Sequence, residues 1–413
     1  MRIQELPPLH LTYCLNVHPG ETWVENFAAI REKALAVRDR VAPAGESFGL
    51  GLRLGRQAAD ELAGEPNLLA FREFLAGENL YVFTVNGFPY GPFHGTAVKE
   101  NVYRPDWRSL RRLDYTLLLA DILAELLPEG VGGSISTVPG AYKDWIGTER
   151  DRNAMVWMLA EAARHCEAIF RRRGREVRIA LEPEPDCFLE NTDDAVEFFT
   201  GPLLREGAAF LSQEHALAAK DAEPALRRFL GVCLDTAHIA VQFEDPAASL
   251  QRLASAGVPV CKVQLSAALR LCPTDEALRR LGEFAEGVYL HQVKSRLPGG
   301  ELVSYRDLPE ALAAAARPHG CTHRSRGTLD GTPGAEWRVH FHVPLFLDDY
   351  QGLQSTGPLL KGPFAQALRE GACEHLEIET YTFNVLPRGL RAADIVDGIA
   401  REYRWVLDDL LRR

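Results

Sequence analysis

The sequence predicts an α/β fold of one particular kind, a closed (β/α)8 TIM barrel with an insertion before its last strand. Three observations lead there. Eight short apolar runs recur along the 413 residues, with amphipathic helical stretches between them. Several runs end in charged or polar residues, where a parallel barrel places its chemistry. The first run is followed by Asn16-Val17-His18-Pro19-Gly20. That is not the Gly-rich phosphate turn of an open doubly wound sheet.

In chain order the strand candidates are 10–16, 47–53, 80–86, 132–137, 176–182, 230–235, 260–265 and 375–382. Most are four to eight residues long and bounded by Gly or Pro, as suits strands covered on both faces. Helical stretches are expected at 24–41, 107–127, 152–173, 193–209, 247–256 and 364–370, and 390–411 follows the last strand. Two regions exceed a minimal barrel. The loop after the third strand, 87–95, is rich in Gly, Pro and aromatic residues and belongs on the active face. Residues 288–349 hold two further strand-like runs, 288–293 and 337–346, joined by a polar stretch, 317–335, expected as a mobile link. No repeat or linker marks a second domain, so 1–413 reads as a single domain with 288–349 inserted in it.

Composition narrows the class. Hydrophobic residues at 46% and charged residues at 25% describe an ordinary globular chain rather than a disordered one. Lys and Arg number 46 against 57 Asp and Glu, a net charge of −11, which disfavours non-specific nucleic-acid binding. The eight cysteines include no C-x-x-C pair, and several lie in apolar runs, as free thiols do in a reducing compartment. The first residues carry no apolar signal core, and the best apolar run, 115–127, is broken by Asp121 and Glu125. A cytoplasmic protein without direct membrane insertion is expected.

The strand ends carry the candidate chemistry. The fifth ends in Leu181-Glu182-Pro183-Glu184, and a carboxylate closing a buried run needs a partner or a metal. The sixth ends in Asp235-Thr236-Ala237-His238, a donor pair for a divalent ion or a proton-transfer pair, or else an Asp capping the next helix. In the last strand Glu377 and Glu379 share a face by period two, and Glu379 lies nearer the C-terminal end. Two inward carboxylates repel unless a cation lies between them. In the seventh strand Lys262 and Gln264 also share a face. Lys262 reads either as a catalytic group or as the ion-pair partner of Glu377 or Glu379, and Gln264 as a substrate contact. Farther on, His340 and His342 form an H-x-H pair, read equally as ligands or as structural residues.

The ordered set Leu-Glu-Pro (181–183), Leu-Asp-Thr-x-His (234–238) and Ile-Glu (378–379) resembles the xylose isomerase-like TIM-barrel superfamily. That group includes sugar-phosphate isomerases, ketose 3-epimerases and endonuclease IV-like nucleases. The resemblance implies a divalent metal (Mn, Zn, Mg or Co) held by Glu182, Asp235, His238 and Glu379. Where the family carries a seventh-strand His, this chain has Gln264, so His342 or another histidine must supply nitrogen. Longer strings look like the EboE-type metabolite-traffic proteins, found in a bacterial gene cluster implicated in moving biosynthetic intermediates toward the periplasm. They include Leu-Thr-Tyr-Cys-Leu-Asn-Val-His-Pro-Gly (11–20), Val-Asn-Gly-Phe-Pro-Tyr-Gly-Pro-Phe-His-Gly (85–95) and Leu-Glu-Ile-Glu-Thr-Tyr-Thr (376–382), and the likeness runs from about Leu11 to Pro387.

Two functions follow as expectations. One is an isomerase or epimerase of a small polyhydroxylated or aromatic metabolite, with Glu182, Glu379 and Lys262 catalytic and Gln264, His18, Asn86, Phe88, Tyr90 and His94 at the substrate. The other is a non-catalytic binding or handover protein on a metal-free barrel, favoured by Gln264 and by the aromatic loop Phe88, Tyr90 and Phe93. Partners would be the metabolite and other proteins of the same cluster, with no nucleic acid. A nuclease would need more ligand histidines and a basic groove.

Overall fold

The computed structural model describes residues 1–95, 97–215, 217–316 and 334–412. Eight strands form the barrel: β1 (Leu9–Tyr13), β2 (Phe48–Arg53), β3 (Leu80–Asn86), β4 (Gly133–Thr137), β5 (Val177–Leu181), β6 (Leu230–Asp235), β7 (Val260–Leu265) and β8 (His375–Ile378). Each lies within or overlaps one of the expected runs. Neighbours from β2 to β8 pair in parallel, and β8 pairs with β1. A parallel bridge between Cys14 and Gly51 joins β1 to β2 and closes the ring. That closure requires glycine. A Cβ on Gly51 would collide with Glu377 Oε1 inside the barrel and lie 2.9 Å from the Tyr13 carbonyl oxygen.

The helices cover the outer face, as the apolar strands demand. The longest, Glu149–Arg173, starts at a capping box between Thr148 and Asp151 and stops at Gly174, whose φ of 65° ends the helix. Its buried side, including Val156, Leu159, Ala163 and Cys166, follows helical spacing onto the sheet. The described cysteines are free thiols, all buried except Cys272. Among the described residues no helix is long and apolar enough to cross a membrane.

A second, antiparallel sheet grows out of the barrel one residue after β7. Its spatial order is Leu302–Tyr305, Val293–Arg296, Glu336–Val343, Ala267–Leu271, Leu353–Ser355 and Asp349–Tyr350. The sheet therefore draws strands from both sides of 288–349 as well as from within it. The first strand-like run of that segment is shifted: its strand begins at Val293, not at Val288. Residues 288–292 instead form a loop, with the Val288 carbonyl accepting from the amides of Val98 and Lys99. Of the expected link 317–335, residues 317–333 lie outside the described residues.

The central strand of this sheet, Glu336–Val343, matters most for the site. Its pairing with Ala267–Leu271 is regular up to Val339 and shifts register before Val343. Such irregularities re-aim side chains. The segment His340-Phe341-His342 falls within the shift and presents both imidazoles to the barrel mouth, while Phe341 packs beneath the His291 ring.

Candidate functional site

Three carboxylates stand at the C-terminal mouth because the strands carrying them end there. Glu182 follows β5, Asp235 is the last residue of β6, and Glu379 follows β8. All three are buried. Asp235 has two jobs, one per oxygen. Its Oδ1 accepts from the amides of Ala237 (2.8 Å) and His238 (3.0 Å), capping the short helix Thr236–Val241, and from the Ser266 hydroxyl (2.7 Å). Its Oδ2 has no hydrogen-bond partner. The capping role and the ligand role, alternatives in the sequence, coexist.

Glu379 is oriented from the opposite side. Its Oε1 accepts from the side-chain amides of Asn16 (2.7 Å) and Asn86 (3.0 Å). Its carbonyl oxygen accepts from His342 Nδ1 at 2.6 Å, so the neutral ring keeps its proton there and leaves Nε2 bare. His238 is set the same way, with Nδ1 donating to the Pro183 carbonyl at 3.1 Å. One donor atom each from Asp235, His342 and Glu379 lies within 4.8 Å of the others, and the same holds for Glu182, Asp235 and His238.

The charges do not balance without help. Burial, and then the carboxylates of Glu379, Asp235 and Glu184, push Glu182 well above the usual carboxylate range. Burial, Asp235 and Glu377 do the same to Glu379. Asp235 is also buried, but His238, His342 and its three hydrogen bonds outweigh that and hold it below its ordinary value. It is the anion of the group. Burial lowers His238 to about 4 and lowers His342 as well, so both rings are neutral donors near pH 7. Glu182 Oε2, Asp235 Oδ2 and His342 Nε2 are thus buried acceptors without donors. A divalent cation fits that set, since it satisfies carboxylate and imidazole lone pairs together.

A cavity of about 60 Å³ opens onto these groups, lined among others by Asn16, Asn86, Phe88, Glu184, His340 and Tyr381. It has room for little beyond water. Aromatic rings close it from above: Phe93, Tyr289 and Tyr381 pack mutually at centroid distances of 5.0–5.6 Å, and Tyr381 lies 4.7 Å from His342. Lys99 ties the third-strand loop to the inserted sheet, donating to the Tyr289 carbonyl and to Asp307, each at 2.7 Å.

Solved structures with this architecture follow from comparison of the whole fold. The crystal structure of IOLI protein with a binding zinc atom is 12% identical, with a TM-score of 0.50 over 98% of this chain and 100% of that one. A xylose isomerase-like TIM barrel protein from Mycobacterium smegmatis in complex with magnesium is 13% identical, with a TM-score of 0.50 over 98% and 97%. The fold is a xylose isomerase-like TIM barrel. The probable 3-DHS dehydratase AsbF of Bacillus anthracis, involved in petrobactin synthesis, is 14% identical, with a TM-score of 0.46 over 97% and 99%. No family model and no curated protein matches the sequence.

Within this xylose isomerase-like barrel the expected residues separate into layers. Glu182, Asp235, His238, His342 and Glu379 come together, and Asn86 and Phe88 line the cavity above them. Lys262 and Gln264 lie lower, inside the barrel. Lys262 pairs with Glu377 at 2.5 Å and reaches Ser136 Oγ at 3.2 Å, while Gln264 Oε1 accepts from the Cys233 thiol. His18 is bonded to the Tyr13 hydroxyl (2.9 Å), and His94 packs on Phe93 (5.1 Å). Neither lines the cavity. Tyr90 lines a separate outer groove of about 660 Å³ with Arg104, Arg108 and Arg111, which none of the carboxylates of the mouth reaches.

Sequence reasoning left several residues of the site without a role: Asn16, Tyr103, Tyr289 and Tyr381, which line the cavity, and Gln292, which lies behind His340. Tyr103 donates to Glu184 Oε1 at 2.7 Å, and burial raises that carboxyl to about 8. The signal for His340 was present in the H-x-H pattern. The remainder come from loops and the inserted sheet, where spacing carries no information about what they face.

Proposed function

We propose that this chain is a divalent-metal isomerase or epimerase, of the EboE type, acting on a small polyhydroxylated or aromatic metabolite. The observation that supports it is the convergence of bare, buried acceptors: Glu182 Oε2, Asp235 Oδ2 and His342 Nε2. Glu182, Asp235 and Glu379 would hold the ion, with His342 or His238 supplying nitrogen in place of the seventh-strand residue that is Gln264 here. Bound there, a divalent cation polarises a carbonyl and fixes neighbouring hydroxyl oxygens.

The chain's own groups would do the rest. Glu182 and Glu379 approach the cavity from separated strands, β5 and β8, and would take a proton from carbon beside a carbonyl and return one. Asn16 and Asn86 orient Glu379 through its Oε1, leaving Oε2 for exchange. Tyr103 holds Glu184 in place at the wall. Lys262 sets a positive charge beneath the mouth through its pair with Glu377. The aromatic cap would exclude water from an enediolate and suits a substrate with one apolar face.

A second reading, a metal-free binding or handover protein, is favoured by one proximity: carboxylate oxygens of Asp235 and Glu379 lie within 4.8 Å of each other, so a proton retained by one of them also relieves the repulsion. Two measurements separate the readings. Protein purified without chelators is analysed for metals, and ketoses and cyclic polyols are incubated with it in D2O and followed by NMR. Stoichiometric metal with deuterium entering at carbon beside the carbonyl is expected. Absence of metal, with no thermal shift on adding Mn, Zn, Mg or Co, decides for the binding protein.

A further inference from the structure

His238 and His340 face each other across the mouth with Nε2 atoms 3.0 Å apart, ring centroids at 4.5 Å and planes at 83°. The hydrogen bonds behind each ring decide what those nitrogens carry. The Pro183 carbonyl can only accept, which places the proton of His238 on Nδ1. Gln292 donates its amide nitrogen to Tyr103 Oη (3.2 Å) and to the Pro185 carbonyl (3.1 Å). Its Oε1 is thereby turned to accept from His340 Nδ1 at 2.7 Å. Each neutral ring has spent its one N–H, and two lone pairs point at each other in a buried space. That arrangement repels unless something positive sits between them.

We propose that His238 and His340 hold a second divalent ion next to the one assigned to the carboxylates, which keeps the bare Nε2 of His342 as its nitrogen. One donor nitrogen from each of the three rings lies within 4.8 Å of the others. Two imidazoles on a tetrahedral zinc, with bonds of about 2.0–2.1 Å, have nitrogens about 3.3 Å apart, close to the spacing present. The mouth then has two unlike positions. The imidazole set suits zinc or cobalt, and Glu182, Asp235 and Glu379 form an oxygen-rich set suited to magnesium or manganese. The second position depends on the inserted segment, which supplies His340 and the orienting Gln292.

The proposal rests on the metal-centre reading above, and stoichiometry tells the two apart. Full-length chain stripped of metal is titrated with Zn2+ and, separately, Mg2+, and the bound metal is measured after desalting. Two Zn2+ per chain are expected for the wild type, one for His340→Ala, and one Mg2+ for both. Co2+ should give an intense tetrahedral visible spectrum that His340→Ala removes. Gln292→Leu leaves the rings in place but frees the His340 tautomer, and should weaken the second Zn2+ tenfold or more. It decides the matter should His340→Ala not fold. One Zn2+ per chain in wild type and variant alike overturns the second site and leaves the first standing, and two-ion uptake undiminished in both His340→Ala and Gln292→Leu overturns its assignment to these rings. No bound metal overturns both.

Discussion

The two halves of the mouth are built on opposite principles. The barrel half contributes carboxylates, and two of the three are locked by backbone or amide donors: Asp235 by its cap, Glu379 by Asn16 and Asn86. Below them lies the fully buried Lys262–Glu377 pair. The inserted half contributes neutral rings, His340 and His342, from a strand whose register shifts where they occur. Charge is thus placed where strand ends cannot move, and ligand nitrogen and the aromatic cap where a separate sheet can vary. The comparison predicts that changes in the buried layer beneath the barrel's carboxylates damage stability, while changes to those carboxylates or to the inserted half's rings damage binding.

The largest expected effect tests the barrel side. Lys262→Met leaves Glu377 buried without its counter-charge, and denaturant unfolding should show a loss of about 3–5 kcal/mol. A loss below about 1 kcal/mol would mean that the pair contributes little and would break the contrast. Metal removal should come next. Chelation is expected to lower the melting temperature by the equivalent of about 2.7 kcal/mol when metal had been present at about a hundred times its dissociation constant. Glu379→Gln should reduce metal uptake at least tenfold and leave the metal-free melting temperature unchanged or higher, because it removes a carboxyl whose charged form burial and the neighbouring Asp235 disfavour.

A further effect concerns the joint between the halves. Glu402 is buried, accepts from the Leu345 amide (3.0 Å) and the Thr380 hydroxyl (2.7 Å), and is raised by burial to about 7. A raised carboxyl binds a proton in the folded chain that the unfolded chain has already released. Its contribution is full below about pH 4.5 and is lost as the pH rises through about 7, roughly 3–4 kcal/mol in all. In Glu402→Gln, stability measured from pH 4.5 to 8 should fall less steeply by that amount. An unchanged slope would place the titration elsewhere.

How much of this was legible differs between the same two halves. The barrel follows from apolar runs of strand length, and its carboxylates from their position at the ends of those runs. Periodicity also put Lys262 and Gln264 on the inward face. It could not give depth, so both lie a layer below the cavity although they face the same axis as Glu182. The inserted half was readable only as a pattern without an address. His340 is 102 positions from the His238 it meets, and nothing local to either residue encodes that meeting. The aromatic cap is similar: Phe93 stands in the third-strand loop, but Tyr289 and Tyr381 join it from two other loops.

The hydrogen bonds behind the ligand histidines couple the donors mechanically. His342 is held by the carbonyl of Glu379 itself, and His238 by the carbonyl of Pro183, the residue after Glu182. Each imidazole therefore rides on the same peptide segment as a carboxylate ligand. A rotation of either peptide displaces an oxygen and a nitrogen donor at once, so the centre assembles and fails as a unit. Partial loss of one ligand should register as a step in affinity, and graded tuning of the metal must come from the rings' outer partners, such as Gln292.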